Sequence, residues 1–335
     1  MRISIVINNY NYRHFVGRAI ESALAQTHDD VEVVVVDDGS TDDSLDVIRG
    51  FGSRIKVIEK RNGGQGSAYN AGYGLATGGA LFFLDADDWL YPEAAARVAA
   101  TWRDGVSKVQ FPLELVDREG QSMGRRVPRS MHDREAMNLL KDFGAYGSPP
   151  GSGNAYGAEF LKHVMPMDEG IWRTAADSVP ILLAPAYGEV LSLQTALGAY
   201  RQHRSADDGS LLSNNAPSGL WHEFERIAWT KRYVQESLSA LGRQPRVPQF
   251  LAPWEARLAT LCARFGGEAA PGASHPSASR LMRFALHSVW RWPMGGVRFK
   301  SMLSIWMVGV WLLPLPLAQR LARMHRASVG APVAS

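Results

Sequence analysis

Cysteine is all but missing from this 335-residue chain: Cys262 stands alone, so no disulfide can close within it, and the composition fits a reducing compartment. A lysine-rich run and an aromatic RNA-binding motif are also lacking, and the net charge is only +3, so nucleic acid is not an expected partner. No phosphate-loop lysine occurs. The one glycine-rich stretch, RNGGQGSAYNAG at 61–72, follows a later strand than the first and lacks the third glycine of a dinucleotide fingerprint, which weakens both dehydrogenase and P-loop readings. The first apolar run is short and has no cleavage pattern, so no signal peptide is read there. What the chain does have is length for one large core plus a smaller appendage, and 46% hydrophobic residues to fill them.

The strongest positive signal is ALFFLDADDW at 80–89. An apolar run of this kind suits a central strand, and it stops abruptly at Asp85, Asp87 and Asp88. The carboxylates then emerge at the carboxyl edge of the sheet, where open α/β sheets bind ligands. Three acids at one strand end repel one another unless a cation sits among them. Alternation puts Asp85 and Asp87 on one side, suited to a divalent ion and, through it, a diphosphate. The competing reading is a solvated turn in which Asp87 or Asp88 caps the next helix.

A second strand, VEVVVV at 31–36, also runs into carboxylates, in DDGSTD at 37–42. Strands at 2–7 and 55–58, with helices at 14–25, 43–49 and 67–76, give the order βαβαβαβ and so a mainly parallel, doubly wound sheet. The glycines of 61–72 allow close backbone approach, and the helix that follows offers N–H groups to an anion. The loop YGSPPGSGNAY at 146–156 is too rich in glycine and proline for the interior of an element.

Taken together, ISIVINNYNYRHFVGRAIESALAQT, VEVVVVDDGSTDDS, RNGGQGSAYNAGYGLATG and LFFLDADDW resemble the amino-terminal half of a family 2 glycosyltransferase with the GT-A fold. All motifs fall in order within residues 1–100, and the likeness extends more loosely to about 205. Asn8 departs from the pattern, standing where the family has proline; read from sequence, this removes a rigid turn but no chemistry.

The resemblance implies roles. Tyr10 lines the base, Asp38 accepts from its imide N–H, and Asn8, Asn62 and Gly66 lie along the nucleotide. Asp85 sits near ribose and metal, and Asp87 is the main ligand of Mn²⁺ or Mg²⁺ on the diphosphate. Asp177 falls at the distance of the family's catalytic base, with Ala176 in place of the usual preceding glutamate; Asp168 and Glu169 compete for that role, and a helix cap before 178–183 is the plain alternative. Tyr200, Arg201 and His203 match a tyrosine–arginine–histidine pattern in which Arg201 neutralises diphosphate and His203 completes the metal site or contacts phosphate.

The activity so implied is inverting transfer from a nucleotide sugar, UDP-linked in the first instance, to a hydroxyl of a glycan or lipid-linked precursor. No Gln-x-x-Arg-Trp motif of processive relatives is present, which favours transfer of one sugar. The rivals are a nucleotidyltransferase, whose basic loop after the first strand is absent, and a membrane-associated scaffold carrying a degenerate domain.

The expected domains are a catalytic domain at 1–205, divided near residue 100 into nucleotide and acceptor halves, a helical extension and linker at 206–279, and a tail at 280–335. In the tail, Arg280, Arg283, Arg291, Arg298 and Lys300 alternate with Trp290, Trp292 and Trp306. The apolar run at 302–318 is slightly short for a span and is broken by Pro314 and Pro316. The tail therefore reads as a peripheral anchor at the inner face of the cell membrane, with tryptophans at the interface. A helical pair packed on the protein or on a second subunit is the alternative.

Overall fold

The structure, a computed structural model, describes residues 1–203, 219–243, 250–266 and 276–328. Parts of the helical extension and linker expected at 206–279, and the boundary expected at 205, lie outside the described residues. The chain divides into one unit of Met1–Met137 with Gly147–Gln202 and another of Asn138–Tyr146 with His203–Ser335.

In the first unit β1 (Ile3–Asn9), α1 (Val16–Leu24), β2 (Val31–Asp37), α2 (Ser44–Arg49), β3 (Lys56–Glu59), α3 (Gln65–Leu75) and β4 (Ala80–Asp85) follow the βαβαβαβ order expected. The chain continues through β5 (Trp89–Leu90), α4 (Ala94–Thr101), β6 (Val106–Gln110), β7 (Leu113–Val116), β8 (Ser122–Val127), α5 (Ala136–Phe143), β9 (Asn154–Gly157), α6 (Ala158–Val164), α7 (Ser178–Tyr187), β10 (Glu189–Ser192) and β11 (Gly198–Arg201). The large sheet runs β10-β6-β9-β4-β1-β2-β3, and a smaller one runs β5-β11-β7-β8. Strands β3, β2, β1 and β4 are mutually parallel.

These strands are continuous apolar runs because helices cover both of their faces. Ile3, Ile5 and Ile7 share one cluster with Val16, Ala19 and Ile20 of α1, which recur at helical spacing. Near the opposite end of the strands from the acids, buried Glu32 accepts from Ser4 Oγ and Thr77 Oγ1 and pairs with Lys56.

The 146–156 segment is not wholly a loop. Its last residues form β9, buried throughout and antiparallel between β4 and β6. The strand escaped the sequence reading because NAYG is short and carries neither apolar alternation nor β-branched residues. Its folding rests on a side chain: Asn154 Nδ2 donates to Pro150 O at 2.8 Å and, at longer range, to the carbonyls of Pro149 and Gly151.

In the second unit α8 (Leu220–Ala240), α9 (Pro253–Phe265), α10 (Ala278–Arg291), α11 (Gly296–Leu312) and α12 (Leu315–Ser328) pack together. One cluster joins Ala259 and Cys262 of α9 to Met282, Ala285 and Val289 of α10 and Leu303, Trp306 and Met307 of α11. Two tryptophans expected at a membrane interface are therefore core residues. Trp292 is 3% exposed and lies edge-on to Phe143, and Trp306 is 6% exposed. Among the described residues no helix is long and apolar enough to cross a membrane.

Candidate active site

Register brings the polar strand ends together. Asn8 pairs with Asp85 across β1 and β4, and Asn9 pairs with Asp37 across β1 and β2. Asn8 Nδ2 donates to Asp85 Oδ1 at 3.0 Å, while Asn8 Oδ1 is buried without a hydrogen-bond partner. Asn8 thus holds the Asp85 carboxyl by a hydrogen bond that a proline could not donate. Burial first, then the charge of Asp87, pushes the Asp85 carboxyl up to about 7, with the Asn8 hydrogen bond opposing.

Asp88 is a scaffold residue. Its carboxylate accepts from Ser152 Oγ at 2.6 Å and from Arg201 N at 2.9 Å. Ser152 Oγ in turn accepts from Asp85 N, so one hydroxyl fastens the loop before β9 to the acidic turn. Burial, then Asp87 and Asp85, raises the Asp88 pKa well above the ordinary carboxylate value. Asp87 is half-buried between these two.

Asp177 comes to the same edge from the amino end of α7. It occupies the N-cap position, yet its side chain makes no capping hydrogen bond. A Cβ built on Gly151 would lie 3.5 Å from Asp177 Oδ2 and 3.3 Å from Tyr69 Oη, so acid and phenol both face this glycine. The charge of Asp177 is among those raising Asp85 and Tyr69. The competing acids are engaged in local structure: Asp168 Oδ1 accepts from Gly170 N and Ile171 N, and Glu169 accepts from Ser67 Oγ and Asn70 Nδ2.

One further residue at the site, Gln65, was missed as a functional candidate, and a second, Tyr200, was named in its pattern without a role of its own. Gln65 Oε1 accepts from Ala176 N at 2.8 Å, and the Gln65 side chain also stabilises ionised Asp85, so it links the acid turn to the residue before Asp177. Glutamine has no titration signature, and only its place in the glycine stretch marked it. In Tyr200, burial, then the charges of Asp88, Asp85, Asp87 and Asp177, raise the phenol strongly and keep it neutral.

The glycine turn is closed by the chain itself. Gly63 N donates to Asp38 Oδ1 and Gly64 N to Asp38 Oδ2, while Gln65 N and Gly66 N donate to Arg173 O and Trp172 O. The N–H groups expected to await an anion at the start of α3 are therefore taken. Gly64 and Gly66 are needed because the 172–173 backbone presses on them: a Cβ would lie 2.5 Å from Arg173 O and 2.6 Å from Trp172 O respectively. Asp38 also pairs with Lys60 Nζ at 2.7 Å, so three of its roughly four lone-pair positions are filled. Asn62 Oδ1 accepts from Arg173 at 2.9 Å, and the Tyr10 ring is 45% exposed above this edge of the chain's fold.

Arg201 is buried, and its guanidinium is turned to carbonyls, Nε to Asp87 O at 3.0 Å and Nη1 to Arg118 O at 2.5 Å, over the ring of Phe15. It props the Asp87 turn. His203 belongs to the second unit, and among the described residues no three His, Cys, Asp or Glu side chains are grouped to hold a metal ion. The oxygen donors present still suit a hard divalent cation that takes few protein ligands. The charge of Asp87 raises the neighbouring Asp85 carboxyl, a cost that a cation would relieve, and the orphaned Asn8 oxygen lies beside Asp85.

Residues 4–157 match the family model described as glycosyl transferase family 2. An uncharacterised glycosyltransferase of Nostoc sp. (strain PCC 7120) is 36% identical over 255 residues, which cover 74% of this chain and 79% of that protein. Chondroitin synthase of Escherichia coli is 35% identical over 140 residues, 40% of this chain but only 20% of the synthase. Among solved structures, residues 1–349 of S. aureus TarS in complex with UDP-GlcNAc align with a TM-score of 0.54 at 17% identity, covering 98% of this chain and 91% of that one.

Proposed function

Because the chain belongs to glycosyltransferase family 2, we propose that it transfers a sugar with inversion from a nucleotide donor, in the first instance a UDP-sugar, to a hydroxyl of a glycan or lipid-linked precursor. The observation that carries this reading is the meeting of Asp85, Asp87 and Asp177 at one sheet edge, with Asp168 and Glu169 engaged elsewhere.

Asp177 acts as the base. As the acceptor oxygen bonds to the anomeric carbon and the bond from that carbon to the phosphate oxygen breaks, the hydroxyl proton passes to the Asp177 carboxylate. The exposed Tyr10 ring stacks on the base, and the remaining acceptor position on Asp38 takes its imide N–H. Asp87 and Asp85 would hold Mn²⁺ or Mg²⁺, which when bound would neutralise charge on the departing diphosphate. Arg201 and Gln65 keep the Asp87 turn and the Asp177 segment in place rather than touching phosphate.

Support for a UDP donor comes from the shared fold of the TarS fragment with its UDP-GlcNAc, and support for a polysaccharide acceptor comes from the chondroitin synthase. We place the protein at the inner face of the cell membrane, held through residues 280–335. Asp177→Asn tests the mechanism: kcat falls by about 10²–10⁴-fold while donor affinity holds. Equal loss of both moves the base elsewhere.

A further inference from the structure

Helix α11 carries two apolar faces. Leu303, Trp306, Met307 and Val310 are buried in the helical unit. Opposite them Met302, Ile305, Val308 and Leu312 recur every three or four residues in the open, with Met302 62%, Ile305 72% and Leu312 67% exposed. Leu315 and Leu317, each 51% exposed, continue the patch into α12. Singly exposed aliphatics are ordinary, but a contiguous stripe at helical spacing marks an interaction surface.

Charge identifies what covers it. From residue 269 to the carboxyl end there is no Asp or Glu, whereas Arg280, Arg283, Arg291, Arg298, Lys300, Arg320, Arg323 and Arg326 are spread along the same stretch. Arg298 stands one turn before Met302 and is exposed, as are Arg320 and Arg323. Trp290, 49% exposed, donates to Ser304 Oγ beside the stripe. A second copy of this face would set cation against cation. An anionic lipid surface matches both the aliphatic stripe and its basic borders. At about 1.5 Å per residue α11 is about 25 Å long, short of the roughly 30 Å hydrocarbon core, so it suits lying in the plane of the bilayer.

We propose that α11 and the start of α12 lie flat on an anionic bilayer, with Met302, Ile305, Leu312 and Leu315 entering the acyl boundary and Arg298 and Arg320 meeting headgroup phosphates. This rests on the membrane placement proposed above and gives the contact to an aliphatic stripe, since of the three tryptophans expected at the interface only Trp290 is exposed.

The test is co-sedimentation of the full chain with vesicles of phosphatidylglycerol and phosphatidylcholine, against phosphatidylcholine alone, for wild type, Met302→Asp/Ile305→Asp and the control Met302→Leu/Ile305→Val. Wild type and control should bind the anionic vesicles at least tenfold more tightly than the neutral ones, and the aspartate variant should lose at least tenfold with its helical circular dichroism unchanged. Wild-type binding that the aspartate variant retains overturns this face while leaving the membrane placement intact. No vesicle binding by wild type overturns both. Equal binding to neutral vesicles overturns the anionic partner, and a dimer in sedimentation velocity that the aspartate variant dissolves assigns the stripe to a second copy instead.

Discussion

Asp85 is the residue on which the site's electrostatics turn. Its carboxyl is pushed up to about 7, by burial first and then by Asp87, so the folded chain holds this proton more tightly than the unfolded chain does. The resulting stability is present below the unfolded carboxyl value and is lost as pH rises toward 7, where the ionised pair needs a cation. Mn²⁺ should therefore raise Tm more at pH 8 than at pH 5.5; equal shifts would show that Asp85 does not feel the ion. Asp85 and Asp87 stood out because carboxylates end an apolar strand, whereas Asp177 was reached only through the spacing that the family resemblance implies. The engagement of Asp38 with Lys60, Gly63 and Gly64 was not legible, since it depends on how a loop folds back across 22 to 26 positions.

Among elements, the junction of α3 with the 172–173 strap binds the glycine motif to the segment that delivers Asp177. Gly66 N donates to Trp172 O at 2.8 Å, and there is no room there for a methyl group. Gly66→Ala should cost about 1–3 kcal/mol in denaturant unfolding and lower kcat more than it weakens donor binding, because the strap leads to the base. An unchanged midpoint would show that the strap yields freely. The glycines were read as making room for a ligand, and the structure gives that room to the chain itself. The parallel strands were legible from their β-branched runs, whereas β9 was not, since its place depends on Asn154 and on neighbours far away in sequence.

At the scale of the whole molecule, the first unit follows from residues 1–100 far more directly than the second follows from its own sequence. Alternating strands and helices announce a sheet, but helical periodicity alone does not say which face of α11 meets α9 and which stays bare. That ambiguity explains the misplacement of Trp306, while Trp292, just past the end of α10, is buried by contacts that periodicity does not reveal. Because Leu281, Met282, Leu303 and Trp306 share a core with α9, removing residues 280–335 should leave α9 uncovered and the truncated chain prone to aggregation. Size-exclusion chromatography checks this, and a monodisperse, stable truncation would contradict the packing.

The central claim is that the acidic edge binds a nucleotide through a divalent ion held by Asp87. Calorimetric titration of UDP into wild type and Asp87→Ala, with and without Mn²⁺, tests it most directly. The account predicts Mn²⁺-dependent binding by wild type that Asp87→Ala loses. Identical UDP affinity in the two proteins with Mn²⁺ present would contradict it.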